Sequence, residues 1–369
     1  MMRLALADIW MQARMWLWGL LAAAVGAACA SGSVIAMFTG ISAASAAGNS
    51  NMVSASIALG GNIVFFTVLA AVGIVASISG LILQTQQREH ALWLILGIPR
   101  RRVRAVLRLE LVALGFAAGV IAIPFSLWVA DFTLGQWEQA GLNLHGATAP
   151  FEPWQAGVSV LSGIVPCLLG GWGVTARIAK VPEMRAFRTA ASPAPRLGVL
   201  RAVLAVLLFA GVGGMWIPGL LFDLSGGLQQ RIAFAFPGDL FLICLLLLLG
   251  PWVFPPLLRA WTSLVPVRGL AWFLAVQSCR TRAIRSVTTI LPFALSISLV
   301  SLFMVIGNVM PDSSAGLGDV LVVLGLVFVV SWTGGLAVIA LVGTERGRDS
   351  ALLTIAGGRP GRCASINDL

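Results

Sequence analysis

Two histidines, five cysteines and fourteen carboxylates are thin means for chemistry in a chain of 369 residues, and none of them falls into a reacting pattern. There is no HExxH, no G-x-x-x-x-G-K-[ST] phosphate loop and no G-x-S-x-G elbow. Cys29, Cys167 and Cys244 sit inside apolar runs, Cys279 and Cys363 in basic segments, and no CxxC occurs. They read as small core thiols rather than disulfides or metal ligands. No catalytic, cofactor-binding or metal-binding residue is therefore assigned, and the chain is read as a non-enzyme. Functional groups crowd instead into Gln84–Glu110: Arg88, Glu89 and His90, an apolar stripe, then Arg100, Arg101, Arg102 and Arg104. The chemistry open to that mixture is docking and electrostatic contact.

The elements that carry this stretch are membrane spans. The chain is 59% hydrophobic and 10% charged, with a mean hydropathy of +0.95, where soluble domains carry about a quarter charged residues. Runs of ~20 apolar residues suffice to cross a bilayer, and they predict an all-α polytopic membrane protein of about eight spans. These are 15–38, 62–83, 103–132, 155–176, 197–222, 237–258, 286–310 and 320–343, preceded by an amphipathic interfacial helix, Met1–Arg14. Thr39–Gly61 and Asp131–Trp154 read as external loops, with Trp137 and Trp154 as interfacial anchors. Placing the N-terminus in the cytoplasm puts every lysine and arginine except Arg231 on that side or at its edge. This is the asymmetry the positive-inside rule requires. The net charge of +10 is thus topological, with lipid headgroups rather than nucleic acid as its partner.

Within Arg88–Gly97, Ala91, Leu92, Ile95 and Leu96 recur at helical spacing. Gly97 offers a left-handed stop, and Pro99 prevents simple continuation before the arginines open the next helix. Glu110 lies two turns further in, where a carboxylate needs a partner, from Arg108 or a neighbouring helix. The pattern returns: Ala91–Gly97 aligns with Ala351–Gly357, Arg88-Glu89 with Arg348-Asp349, Leu92 with Leu352 and Arg102 with Arg362. Six spans separate the two copies, so the repeats are parallel. The expected organisation is a four-helix repeat with its interfacial helix over 1–176, a basic linker with two linking spans over 177–267, and a second repeat over 268–369. That second repeat ends after two spans, which reads as a fragment or truncated product, with a naturally short form as the alternative.

REHALWLILGIPRRRVRAVLRLE resembles the signature of the FtsX-like (MacB-type) ABC transporter permease family. Arg88, Glu89, Ala91, Leu92, Leu96, Gly97, Arg102, Val103 and Glu110 occupy matching positions, and Arg348, Asp349, Ala351, Leu352, Gly357 and Arg362 do so in the second copy. The resemblance implies a permease subunit without ATP or Mg of its own, docked by the first-copy segment to a separate cytoplasmic ABC ATPase subunit. A second permease copy is a further candidate partner. It implies ATP-driven export or extraction of an amphiphilic lipid, peptide or drug. The alternative is a non-transporting sensor that responds to antimicrobial peptides or regulates envelope processes. Many members carry a large extracytoplasmic domain after the first helix, which this chain lacks. A secondary transporter is disfavoured, because Asp131, Asp223, Asp239, Asp312 and Asp319 fall at external span ends rather than at mid-membrane.

The topology has a direct check in the cytoplasmic (inner) membrane. A cysteine replacing His145 should react with a membrane-impermeant thiol reagent from outside, and one replacing His90 only after permeabilisation. Equal reaction from one side would invert the reading.

Overall fold

The computed structural model describes residues 13–85, 98–139, 146–178, 199–221, 227–264 and 325–341, with isolated positions between them. Among these the chain forms α1 (Ala13–Ala46), α2 (Ser50–Thr85), α3 (Arg100–Gln139), α4 (Pro153–Ile178), α5 (Val199–Leu221), α6 (Gly227–Leu264) and α7 (Gly325–Leu341), with no strand. α1 to α4 are each long and apolar enough to cross a membrane. The protein is an all-α polytopic membrane protein, as only helices satisfy their backbone internally in lipid without closing a barrel. α5 and α7 supply shorter apolar helices at the fifth and eighth expected spans. Most of the seventh and residues 1–12 lie outside the described residues.

The first expected external loop is not a loop. α1 and α2 run on through most of Thr39–Gly61 and leave only Ala47–Asn49 as a turn. Low hydropathy there comes from alanine and serine, and alanine is the best helix former. Ser42 and Ser45 donate to the carbonyls of Thr39 and Ser42, each at 2.8 Å, so their hydroxyls fold back on the helix. The stop is a Schellman turn: Gly48 takes φ +70°, its N–H reaches Ser45 O at 3.0 Å, and Asn49 N–H reaches Ala44 O at 3.2 Å. Asn49 then caps α2, its Oδ1 accepting from Asn51 N (3.2 Å) and Met52 N (3.3 Å). The second external loop is also shorter than expected, since α3 continues to Gln139. Asp131 Oδ1 accepts from Ala149 N at 2.9 Å and Glu138 Oε1 from Gly146 N, which ties the remaining loop to the end of α3.

Trp137 corrects a further expectation. It is 1% exposed and packed beside Gly40 of α1, so it belongs to the core and anchors nothing in lipid. Trp154 is 40% exposed and meets Phe38 edge to face, with ring centroids 5.6 Å apart. The sixth expected span is bent: Pro237–Gly250 and Trp252–Leu264 meet at 77°. Pro251 falls at the break, and a proline has no N–H to donate to the helix ladder.

α1 packs against α2, α3 and α4, and α4 packs in turn against α2 and α3. The core of the unit is built from side chains such as Ile35, Phe66, Ile74, Leu107 and Leu134, each 2% exposed or less. α7 seats on α1 and α2, with Gly334 against Ile74 and Val330 beside Gly26. α5 and α6 pair with each other, Gly211 facing Phe241.

The tightest contact is the crossing of α3 and α4. A Cβ on Gly115 would lie 2.7 Å from Gly163 O, and one on Gly119 would lie 2.6 Å from Val160 Cα. Ser159 donates across the crossing to Gly119 O at 3.0 Å. Membrane helices lack a hydrophobic drive toward one another, so such backbone approach carries much of the association. Gly115→Val should therefore destabilise the purified protein by about 1–3 kcal/mol. Gly61→Ala, where nothing lies within 4 Å of an added Cβ, should not. Thermal unfolding in detergent separates the two, and equal stability of both variants would remove the crossing from this role.

Candidate functional site

The stretch singled out in the sequence is the junction of α2 and α3. α2 ends at Thr85, and α3 begins at Arg100, one residue beyond Pro99. The carbonyl of Pro99 accepts from Arg102 N at 2.8 Å, starting the new helix where the proline ring has fixed the backbone. Between the two helices, Leu92 and Ile95 are helical, and Leu96 N–H donates to Leu92 O at 3.0 Å. Leu92, Ile95 and Leu96 lie three and four residues apart and so share one face. They are 50%, 58% and 78% exposed.

Arg101 and Arg102 are exposed on the first turn of α3. Arg88, Glu89, His90, Ala91, Gly97 and the side chain of Arg100 lie outside the described residues. So does the whole second copy: Arg348, Asp349, Ala351, Leu352, Gly357 and Arg362.

One turn deeper, α3 divides its faces by chemistry. Val103, Leu107, Glu110, Leu111 and Leu114 form the buried stripe, and Glu110 is 1% exposed within it. Leu111 fits against Gly171 of α4, where the absent side chain makes room. Arg101, Arg104 and Arg108 follow another face, three and then four residues apart. Two residues along a helix amount to about 200°, so Arg108 and Glu110 point in nearly opposite directions. Arg108 stacks instead on Trp172 of α4, its guanidinium carbon 4.3 Å from the ring centroid. Trp172 escaped sequence reasoning. Its signal was a tryptophan near the end of a span, the usual site of an interfacial ring.

Among the described residues no group of three His, Cys, Asp or Glu side chains could hold a metal ion. Cys29 and Cys167 are free and buried, at 3% and 0% exposure. What the arrangement offers is a contact surface: an exposed apolar turn, with arginines beside it, set between two membrane-spanning helices.

Comparison with known proteins adds one match. Residues 61–182, which take in most of α2 and all of α3 and α4 with the exposed turn between them, match the family model FtsX-like permease C-terminal. No curated protein and no solved structure matches the chain. Residues 61–182 of this membrane protein are thus similar to the C-terminal domain of FtsX-like permeases.

Proposed function

We propose that this chain is the permease subunit of an ABC system, and that the Leu92–Leu96 turn is where a separate cytoplasmic ATPase subunit docks. The observation that carries the reading is the exposure of Leu92, Ile95 and Leu96 on one face between α2 and α3 of the permease domain. Apolar side chains gathered on a face outside the packed bundle mark an interaction surface. Full burial of one is worth roughly 1.5–3 kcal/mol before association costs, so three can anchor a partner. Arg101 and Arg102 form the rim, which steers association more than it holds it.

In this reading the N-terminus faces the cytoplasm and the protein resides in the cytoplasmic membrane. The partner binds ATP and Mg; this chain contributes movement. Its cargo is an amphiphile, a lipid, peptide or drug, exported or extracted as the helices tilt. MacB-type organisation, the second repeat and a second permease copy belong to the same proposal. Long helices also favour a sensor that transmits motion without transport: α1, α2 and α3 have 34, 36 and 40 residues, or ~51–60 Å, well beyond a hydrocarbon core of ~30 Å. If ATP turnover in reconstituted vesicles responds to an external peptide while no solute crosses, the sensor reading replaces transport.

Docking is tested by recovery of the tagged chain from its native membranes, with quantitative mass spectrometry of co-purified phosphate-loop ATPases. Leu92→Asp with Leu96→Asp should cut recovered ATPase by about tenfold or more, since burying unpaired carboxylates is strongly unfavourable. Arg101→Gln should change it less than threefold. Undiminished recovery from the double variant, with its helical content intact by circular dichroism, would move the docking site elsewhere.

A further inference from the structure

At the arginine-bearing end, the groove between α3 and α4 has features that the docking reading leaves unused. Arg104 and Arg108 are half-buried, and the Nε atom of each is shielded from solvent without a hydrogen-bond partner among the described residues. With Arg101 they climb one face of α3 over ~10 Å. Trp172, 58% exposed, has the Arg108 guanidinium over its ring. A stacked guanidinium keeps its edge donors in one plane, the geometry that suits the paired oxygens of a phosphate.

Below the arginines the surface turns apolar. Trp172, Leu169 and Val165 succeed one another along one face of α4 at three- and four-residue spacing, and Leu169 and Val165 are 58% and 41% exposed. Polar donors above an apolar track have the polarity of a phospholipid aligned with the span. Free phosphate would use only the upper part.

We propose that the α3–α4 groove binds one phospholipid, its headgroup phosphate held by Arg104 and Arg108 and its acyl chain lying along Trp172, Leu169 and Val165. The site does not depend on the docking of an ATPase. Its occupant would brace the glycine crossing of α3 and α4, which lies about two to three turns beyond Arg108. An anionic headgroup is favoured over a zwitterionic one, because both arginines are positive and no carboxylate lies on their face of α3 between residues 100 and 110.

The test is native mass spectrometry of the full chain released from detergent micelles, titrated separately with phosphatidylglycerol, an uncharged galactosyl diacylglycerol and inorganic phosphate. Phosphatidylglycerol should be retained at one per chain, and at least about tenfold more strongly than the galactolipid, as expected for charge-assisted hydrogen bonds. Arg104→Gln with Arg108→Gln should erase that preference, and Arg108→Lys should lose part of it through loss of stacking. Millimolar inorganic phosphate should not displace the lipid. Equal retention of the two lipids by the wild-type chain overturns the proposal even if the variants fail to fold. Displacement by free phosphate overturns it in favour of a simple anion site, and unchanged preference in the folded double variant removes these arginines from it.

Discussion

Backbone-to-backbone contact between α3 and α4 is the constraint on which the rest of the bundle depends. Gly115, Gly119 and Gly163 remove the side chains that would hold the helices apart, and Ser159 closes the gap with a hydrogen bond to Gly119 O. Gly170 does the same toward α2, where a Cβ would meet Val72 O at 2.8 Å. α4 thereby touches α1, α2 and α3. In lipid, where apolar burial gives little net drive between helices, such proximity sets which surfaces meet. The same contact fixes where Trp172 stands relative to Arg108, because both lie on the helices that cross.

Much of this was legible in the sequence, and the reasons differ by element. Hydropathy located the cores of the first four spans because a bilayer demands ~20 apolar residues and little else supplies them. It misplaced the ends of α1, α2 and α3 that adjoin the two expected external loops. Alanine, serine and glycine lower hydropathy without breaking a helix when serine bonds back to its own turn, as Ser42 and Ser54 do. Trp137 was misread for a related reason. A tryptophan near a span end is usually interfacial, but α3 continues past the expected boundary and carries the ring into a packed region beside Gly40.

The candidate site divides in the same way. Leu92, Ile95 and Leu96 could be picked out because helical spacing and an adjoining Gly-Ile-Pro are local signals. The stacking of Arg108 on Trp172 could not, since 64 residues separate the two and only the folded crossing brings them together. The direction of Arg108 away from Glu110 was available from helix geometry alone. A two-residue step around an α-helix turns the two side chains about 200° apart.

The turn at Ala47–Asn49 gives the molecule a particular mechanical character. Gly48 and Asn49 close one helix and open the next with no slack residues between them, so α1 and α2 form a fork with a short joint. A joint this short leaves little room for α1 and α2 to part at the end where they meet. α7 adds contacts to both prongs, Val330 beside Gly26 of α1 and Gly334 against Ile74 of α2. The short three-residue joint thus couples the two helices of the bundle's first hairpin where they meet, so that neither helix is placed without the other.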